Sequence, residues 1–366
     1  DRKSTCMEDE LMMLQMLFGN QIEQIGSNQL KYSTDQLQIV FTYPETYPDT
    51  NFEYESSVPL AGQLQSDLNG LKTSTMDFIT YLSQNFTLTS KQESQFQRKI
   101  IDTHCHFLRE FFQGDSYQKY LDNFQLINGS KLVLMGSTLQ NSAQALEDAK
   151  ARGWHCAAGI HPKEIEQNFS KDNFYADMDK QMLELKNFYR SNADQVGKTL
   201  VAVGETGISS LDEQVMRIQL KYFRKHADIA VKYDLPVVVH AHRKQQLQLI
   251  VDEVLGSSEL RKLKLIVHGF SADVQQLEAL EAWEMYFSCN QMLLKQSSNF
   301  KKAVKKLGLQ RVLVESDAPF ARIGGEFGPD VVLEVCKKLS EELGMGIDQL
   351  VDQVNENAEK CFGIVK

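Results

Sequence analysis

Several things are scarce in this 366-residue chain, and each scarcity narrows what it can be. No run of 18 or more apolar residues occurs, so no segment reads as a membrane-spanning helix. No two of the six cysteines form a C-x-x-C pair. Cys6, Cys105, Cys156, Cys289, Cys336 and Cys361 are widely scattered, which points to reduced thiols in a reducing compartment. Positive charge is not in excess: the formal net charge is -10. Residues 1–97 hold 13 acidic and 5 basic side chains, and the remainder is close to balance. Neither part is a basic nucleic-acid surface by composition, which counts against tight non-specific duplex binding. A nuclease stays open, because bound divalent cations supply positive charge locally. Histidine is scarce too, with eight in the whole chain, so their positions carry weight. The chain begins at Asp1, which leaves an upstream targeting signal open. None is visible, and the expected location is cytoplasmic or nuclear.

The length suits two domains, with a boundary near residues 85–97. The stretch TLTSKQESQFQ there, Thr87 to Gln97, is polar and lacks helical or strand periodicity. Residues 1–95 read as a small α+β module. A helix is expected over Glu8–Phe18, where Leu11, Leu14 and Leu17 recur three apart, and a strand over Gln36–Phe41. A rigid turn follows around Pro44, Tyr47 and Pro48, then a last helix over Gly62–Leu82.

Residues 98–366 alternate short apolar segments with longer amphipathic ones. The strand candidates are Arg98–His104, Lys131–Gly136, Trp154–Ile160, Thr199–Gly204, Leu235–His240, Leu263–His268, Met285–Cys289 and Arg311–Glu315. Near-continuous apolar strands are what a parallel sheet buried on both faces requires. Between the fourth and fifth, Met216, Leu220, Phe223, Ala227 and Ala230 fall on one helix face. Eight strands with intervening helices in this length fit an α/β fold, the (β/α)8 TIM barrel. An open doubly wound sheet is the alternative, but its usual glycine-rich phosphate fingerprint is missing.

Five of the histidines fall at or just past the expected C-terminal strand ends. His104 and His106 close the first strand, His161 the third, His240 the fifth and His268 the sixth. Glu205 follows the fourth strand and Asp317 the eighth. In a barrel those positions converge on the rim where active sites are built. His104 and His106 lie two apart on a strand and so face the same side. Two imidazoles there can share one ion, Glu205 can bridge two ions, and His240 with His268 could hold the second. Mixed imidazole and carboxylate ligands suit Zn, Mn or Fe and tolerate Mg. One histidine at a strand end is more often structural, and a lone H-x-H is weak. It is the set of six potential ligands in a histidine-poor chain that favours a metal site. His155, at a strand start, and His226, on an amphipathic helix, read as structural or surface residues. His242, two past His240, stays open. Cys105 reads as packing.

The segments IDTHCHF (101–107), GIHP (159–162), GETG (204–207), VVVHAH (237–242), IVHGFS (266–271) and VESDAP (314–319) occur in register with NENAEKCFG (355–363). Together they resemble the TatD family of metal-dependent deoxyribonucleases. The resemblance implies a metal-dependent hydrolase barrel with two divalent metal ions. His104, His106, Glu205 and Asp317 would hold one, and Glu205, His240 and His268 the other. It places His161 near the scissile phosphate and implies hydrolysis of phosphodiester bonds in DNA, often from the ends of single strands. Three positions depart from the family pattern. The run after Glu205 is Gly207-Ile208-Ser209 rather than G-L-D, His242 stands where arginine is usual, and Arg322 is the only base in ARIGGEFGPD. The N-terminal segment, with EDELMMLQMLFG and YPETYPDTNFEYE, resembles an RWD domain, which implies a protein-interaction module with an unknown protein partner.

These readings make Asp317, Glu205 and His161 the candidate catalytic residues of a water-activating, metal-dependent hydrolase. Metal-dependent amide or ester hydrolysis on the same barrel is the alternative. Barrels of that kind usually carry a metal-bridging lysine where Glu205 stands, which favours the phosphodiesterase. A non-enzymatic adaptor acting through the RWD-like part is the third reading.

Overall fold

The computed structural model describes residues 22–26, 29–33, 38–42, 53–56, 97–270, 285–291, 297–320 and 327–364. The chain forms two compact units, Asp1–Glu93 and Ser94–Lys366.

In the first unit β1 (Ile22–Gly26), β2 (Gln29–Ser33), β3 (Gln38–Thr42) and β4 (Glu53–Ser56) form an antiparallel meander in chain order. Alternation explains its buried face. Leu30, Tyr32, Ile39 and Phe41 are buried, and they meet as the cross-strand pairs Leu30↔Phe41 and Tyr32↔Ile39. Lys31 turns the other way and lies 3.5 Å from Glu23. The strand expected over Gln36–Phe41 runs Gln38–Thr42. The helices expected over 8–18 and 62–82, the Pro44–Pro48 turn and the 87–96 stretch lie outside the described residues.

The second unit is an eight-stranded parallel sheet, ordered β5 to β12 as in the chain. Its strands are β5 (Ile100–Cys105), β6 (Gly129–Met135), β7 (His155–Ala158), β8 (Leu200–Gly207), β9 (Val237–His240), β10 (Leu265–Val267), β11 (Met285–Cys289) and β12 (Val312–Val314). Around them stand α1 (Ser116–Leu126), α2 (Leu139–Arg152), α3 (Pro162–Asn168), α4 (Phe174–Ser191), α5 (Glu213–Tyr233), α6 (Lys244–Leu255), α7 (Ser297–Leu307), α8 (Val332–Leu343) and α9 (Ile347–Phe362). The sheet curls until β12 lies beside β5, giving a nearly closed TIM barrel. Hydrogen bonds stitch that seam, among them Thr103 Oγ1 to the Val314 carbonyl (2.9 Å), Asp317 N to the His104 carbonyl (2.9 Å) and His106 N to the Ala318 carbonyl (2.7 Å).

All eight expected barrel strands are present: five are shorter than expected by one to three residues, β6 and β8 are longer, and β11 has the expected bounds. Alternation sorts their side chains into two layers. Leu132, Leu134, Val203, Val237, Val239 and Val267 pack outward against the helices. Val133, Met135, Val201, Val238, Ile266 and Leu313 fill the barrel interior. The expected helix stripe is real: Met216, Phe223, Ala227 and Ala230 are buried on α5, with Leu220 packed at their edge. Asp212 caps that helix, its carboxylate accepting from the Gln214 and Val215 amides. α9 closes the end opposite the rim. Asn355 donates to the Lys99 carbonyl and Asn357 to those of Leu309 and Val312, at the starts of β5 and β12. Phe362 and Ile364 join the interior layer beneath.

Candidate metal centre

The rim places side chains by the same alternation. On β5 a register irregularity between Asp102 and Cys105 interrupts that alternation: Ile101 fills the interior while Cys105 packs in the outer layer, and the flanking His104 and His106 face inward. Both imidazoles are buried. Glu205 lies inside β8 rather than after it, a correction to the expected strand end at Gly204. The glycines of GETG make this possible. Gly204 (φ +145) and Gly207 (φ +139) adopt backbone conformations that favour glycine, and a Cβ on Gly204 would lie 2.7 Å from the Val238 carbonyl. The β8–β9 register shifts between Val203 and Thr206, which turns Glu205 into the mouth. His161 is likewise not a strand residue: it caps α3. His268 follows β10 directly. Asp317 sits past β12 with φ +53, a left-handed conformation that among non-glycine residues asparagine and aspartate adopt most readily.

Six of the expected residues converge with His161 on one point. Glu205 is at the centre, and its two oxygens face different groups. Oε1 lies 2.7 Å from His240 Nδ1, 2.9 Å from His268 Nε2 and 3.1 Å from His161 Nε2. Oε2 lies 3.2 Å from His106 Nε2 and 3.5 Å from His104 Nε2. Asp317 Oδ1 is 3.6 Å from His104 Nε2 and 3.9 Å from His106 Nε2. The His104 and His268 rings stack with centroids 4.0 Å apart.

Hydrogen bonds alone do not account for this packing. His240 Nδ1 is 3.1 Å from His268 Nε2 and 3.3 Å from His161 Nε2, and one proton cannot serve every such contact. Both ring nitrogens of His104 and Oε2 of Glu205 are buried with no hydrogen-bond partner. Buried polar atoms are nearly always satisfied, so orphans aimed at one another call for a missing partner. A divalent cation is that partner in chemical type, since His104 Nε2 and Glu205 Oε2, 3.5 Å apart, can each offer a lone pair. The donor sets His104–His106–Asp317, His104–Glu205–His268, His161–Glu205–His240 and His240–His242–His268 each bring three donor atoms within 4.8 Å of one another. The residues fit the group.

His161 differs from the others in its tautomer. Its Nδ1 accepts from the Lys163 amide at 3.1 Å. The ring proton of the neutral form is thereby assigned to Nε2, which faces Glu205. That nitrogen is a donor, suited to an anionic oxygen more than to a metal.

Charge is balanced inside the cluster. Burial opposes the charge on Glu205, yet the imidazoles of His161, His268 and His104 hold its carboxyl well below the usual carboxylate range. Burial holds the His240 imidazole well below its ordinary value. Burial acts the same way on His268, but Glu205 and Glu315 outweigh it and raise that ring well above. Burial raises the Asp317 carboxyl, against the pull of His268 and His104.

Two buried carboxylates behind the rim were given no role by sequence reasoning. Glu315 Oε1 lies 3.5 Å from His268 Nδ1 and accepts from the Gly269 amide (2.8 Å), while Ser288 donates to Oε2. A carboxylate behind a histidine fixes ring orientation and raises its basicity. Asp102 accepts from the His104 and Ser316 amides (3.2 and 3.0 Å) and from Ser316 Oγ (2.6 Å). It ties the strand of His104 to the loop of Asp317. Burial pushes its carboxyl up to about 8 despite those bonds. The available signal was an acid inside an apolar run, IID and VLVE, where acids are rare unless partnered. His155 and His226 stand apart from the cluster.

A family model described as TatD related DNase matches residues 101–363. The Escherichia coli K12 protein named uncharacterized metal-dependent hydrolase YjjV is 25% identical over 273 residues, 73% of this chain and 98% of its own length. The crystal structure of YjjV shares the fold, with a TM-score of 0.61 at 24% identity over 73% of this chain and 98% of that one. Deoxyribonuclease Tat-D of Schizosaccharomyces pombe is 24% identical over 215 residues, 57% of this chain and 65% of its own length. The 3'-5' ssDNA/RNA exonuclease TatD of Pantoea ananatis is 22% identical over 251 residues, 64% of this chain and 88% of its own. With the family match spanning most of the barrel and the ligand cluster in place, the chain belongs to the TatD related DNase family of metal-dependent hydrolases.

Proposed function

We propose that the barrel hydrolyses phosphodiester bonds of DNA, from the ends of single strands, with two divalent cations of the Mg, Mn or Zn type. The observation that carries the pair of cations is Glu205. Its Oε1 faces His240 and His268 and its Oε2 faces His104 and His106. One carboxylate turned toward two imidazole sets could serve both cations. His104, His106 and Asp317 would hold one with it, and His240 and His268 the other. When bound, such cations supply Lewis acidity and lower the pKa of water toward ~7. The chain's own residues do the rest. Asp317 is the carboxylate that would orient the attacking water or take its proton. His161 presents Nε2–H to the charge that develops on the phosphoryl oxygens. Asp102 and Glu315 hold His104, Asp317 and His268 in place. Phe111 and Phe320, whose rings lie 5.4 Å apart beside His106, offer a base an apolar face. The names of the fission yeast and Pantoea relatives support DNA and single strands as substrate. The first unit is proposed as a docking module for a protein partner.

The test uses end-labelled single- and double-stranded DNA, with Mg, Mn and Zn added singly after chelation. Cleavage is expected only with metal. The His104→Ala plus His106→Ala protein should lose at least about a thousandfold, the scale of losing a preorganised charge-stabilising group, while staying folded. Turnover of small amides with DNA left intact would overturn the assignment, as would full cleavage by the double variant in chelator.

A further inference from the structure

The sets of donors on either side of Glu205 are not chemically alike. His104 and His106 share theirs with the Asp317 carboxylate. On the other side stands a set made only of imidazoles, His240, His242 and His268, whose donor atoms lie within 4.8 Å of one another. The His242 ring packs edge-on against both partners, with centroids 4.3 Å from His240 and 5.0 Å from His268. Its orientation is set from behind. Nδ1 lies 3.2 Å from the Gly269 carbonyl oxygen, so Nδ1–H donates there and the lone pair sits on Nε2. A ring nitrogen bonded to a backbone carbonyl is the usual second contact of a ligating histidine, and a ring nitrogen of His242 lies within 4.8 Å of donor atoms of His240 and His268. The fit around it is close: a Cβ on Gly269 would lie 2.7 Å from His242 Cε1, so only glycine lets the ring occupy this place.

We propose that His242 joins His240 and His268 in a three-imidazole seat, and that this seat gives the chain a preference for Zn, Co or Ni ions over Mg. Imidazole suits those borderline ions, whereas Mg keeps oxygen ligands and water. The side holding His104, His106 and Asp317 remains the more permissive one. This rests on the metal-site reading above but not on the substrate.

The test is a metal titration without substrate. Full-length chelated protein is titrated calorimetrically with Zn and separately with Mn. Co is added to read coordination from its visible spectrum. Wild type should bind Zn in two phases, and His242→Ala should weaken one phase by at least about tenfold, a loss that even outer-shell partners produce. Mn binding should move far less. His242→Cys, which restores a soft donor, should recover Zn binding and add a sulfur band to the Co spectrum. Unaltered circular dichroism checks the fold of each variant. Equal Zn titrations and Co spectra for wild type and His242→Ala would overturn the proposal. Selective metal binding with no DNA cleavage would instead sink the nuclease reading and leave the seat standing.

Discussion

The helix layer and the rim each bury histidines, and they treat them in opposite ways. His226 on α5 and His104 on β5 are both almost wholly buried. His226 is fully satisfied: Nε2 accepts from the Ile160 amide at 3.0 Å and Nδ1 faces the Tyr222 carbonyl at 2.8 Å. His104 has no hydrogen bond from either ring nitrogen. Burial therefore does not mark a ligand. Neither does one orphaned nitrogen. His155 donates from Nδ1 to the Lys198 carbonyl, and its buried Nε2 has no partner, yet it belongs to none of the four three-donor sets. What sets the rim apart is convergence, with several electron-pair donors aimed at one volume.

The largest effect that separates the regions is stabilisation by metal. A ligand that binds only the folded state adds about 4 kcal/mol at a thousand times its Kd. Chelated wild type should gain stability on that scale when Zn is added, read from the barrel's denaturant midpoint. Glu205→Gln removes the proposed bridge and should lose most of the gain. His155→Gln should keep all of it. If Zn stabilises the Glu205 variant as much as wild type, convergence at the rim does not mean metal.

The second prediction concerns the satisfied region. Burial lowers the His226 ring to about 4, against an ordinary value near ~6.5. The unfolded chain therefore takes the proton first. The stabilising difference is complete above pH ~6.5, declines as the pH falls toward 4, and changes no further below both values. Between pH 7 and 5 this single group should cost about 2 kcal/mol. Urea unfolding of chelated wild type should lose that much more over the interval than His226→Gln does. Comparing the two slopes cancels the rim histidines, and parallel slopes would show that His226 is already protonated in the fold.

The contrast also explains how far the sequence could be read. The rim was legible because parallel strands are apolar throughout, so a histidine or acid ending such a run stands out. His104, His106, Glu205, His240, His268 and Asp317 all come together. Roles behind them were not legible. Whether Asp102 or Glu315 points at a ligand or at a backbone amide depends on which strand lies alongside, and spacing does not carry that. His242 lies past the end of β9, where the alternation of a strand no longer dictates direction. Glu205 reads as following its strand because glycine usually ends one, whereas Gly204 here bends a strand that continues to Gly207.

The smallest expected effect lies at the edge of the rim, where apolar surface is exposed. Phe320 is 57% exposed, with its ring 5.1 Å from His106. An exposed aromatic beside the proposed metal site fits a stacking surface for a nucleobase, and such stacking is worth ~1–3 kcal/mol by alanine substitution. Phe320→Ala should raise KM for single-stranded DNA by roughly five- to tenfold, the lower part of that range, with kcat little changed. An oligonucleotide abasic at its terminal positions has nothing to stack and should show no difference between the two proteins. If the variant loses equally on both substrates, the ring serves to pack His106 and Phe111. The rim would then recognise DNA through its phosphates alone, and its aromatic edge would belong with the satisfied, structural part of the barrel.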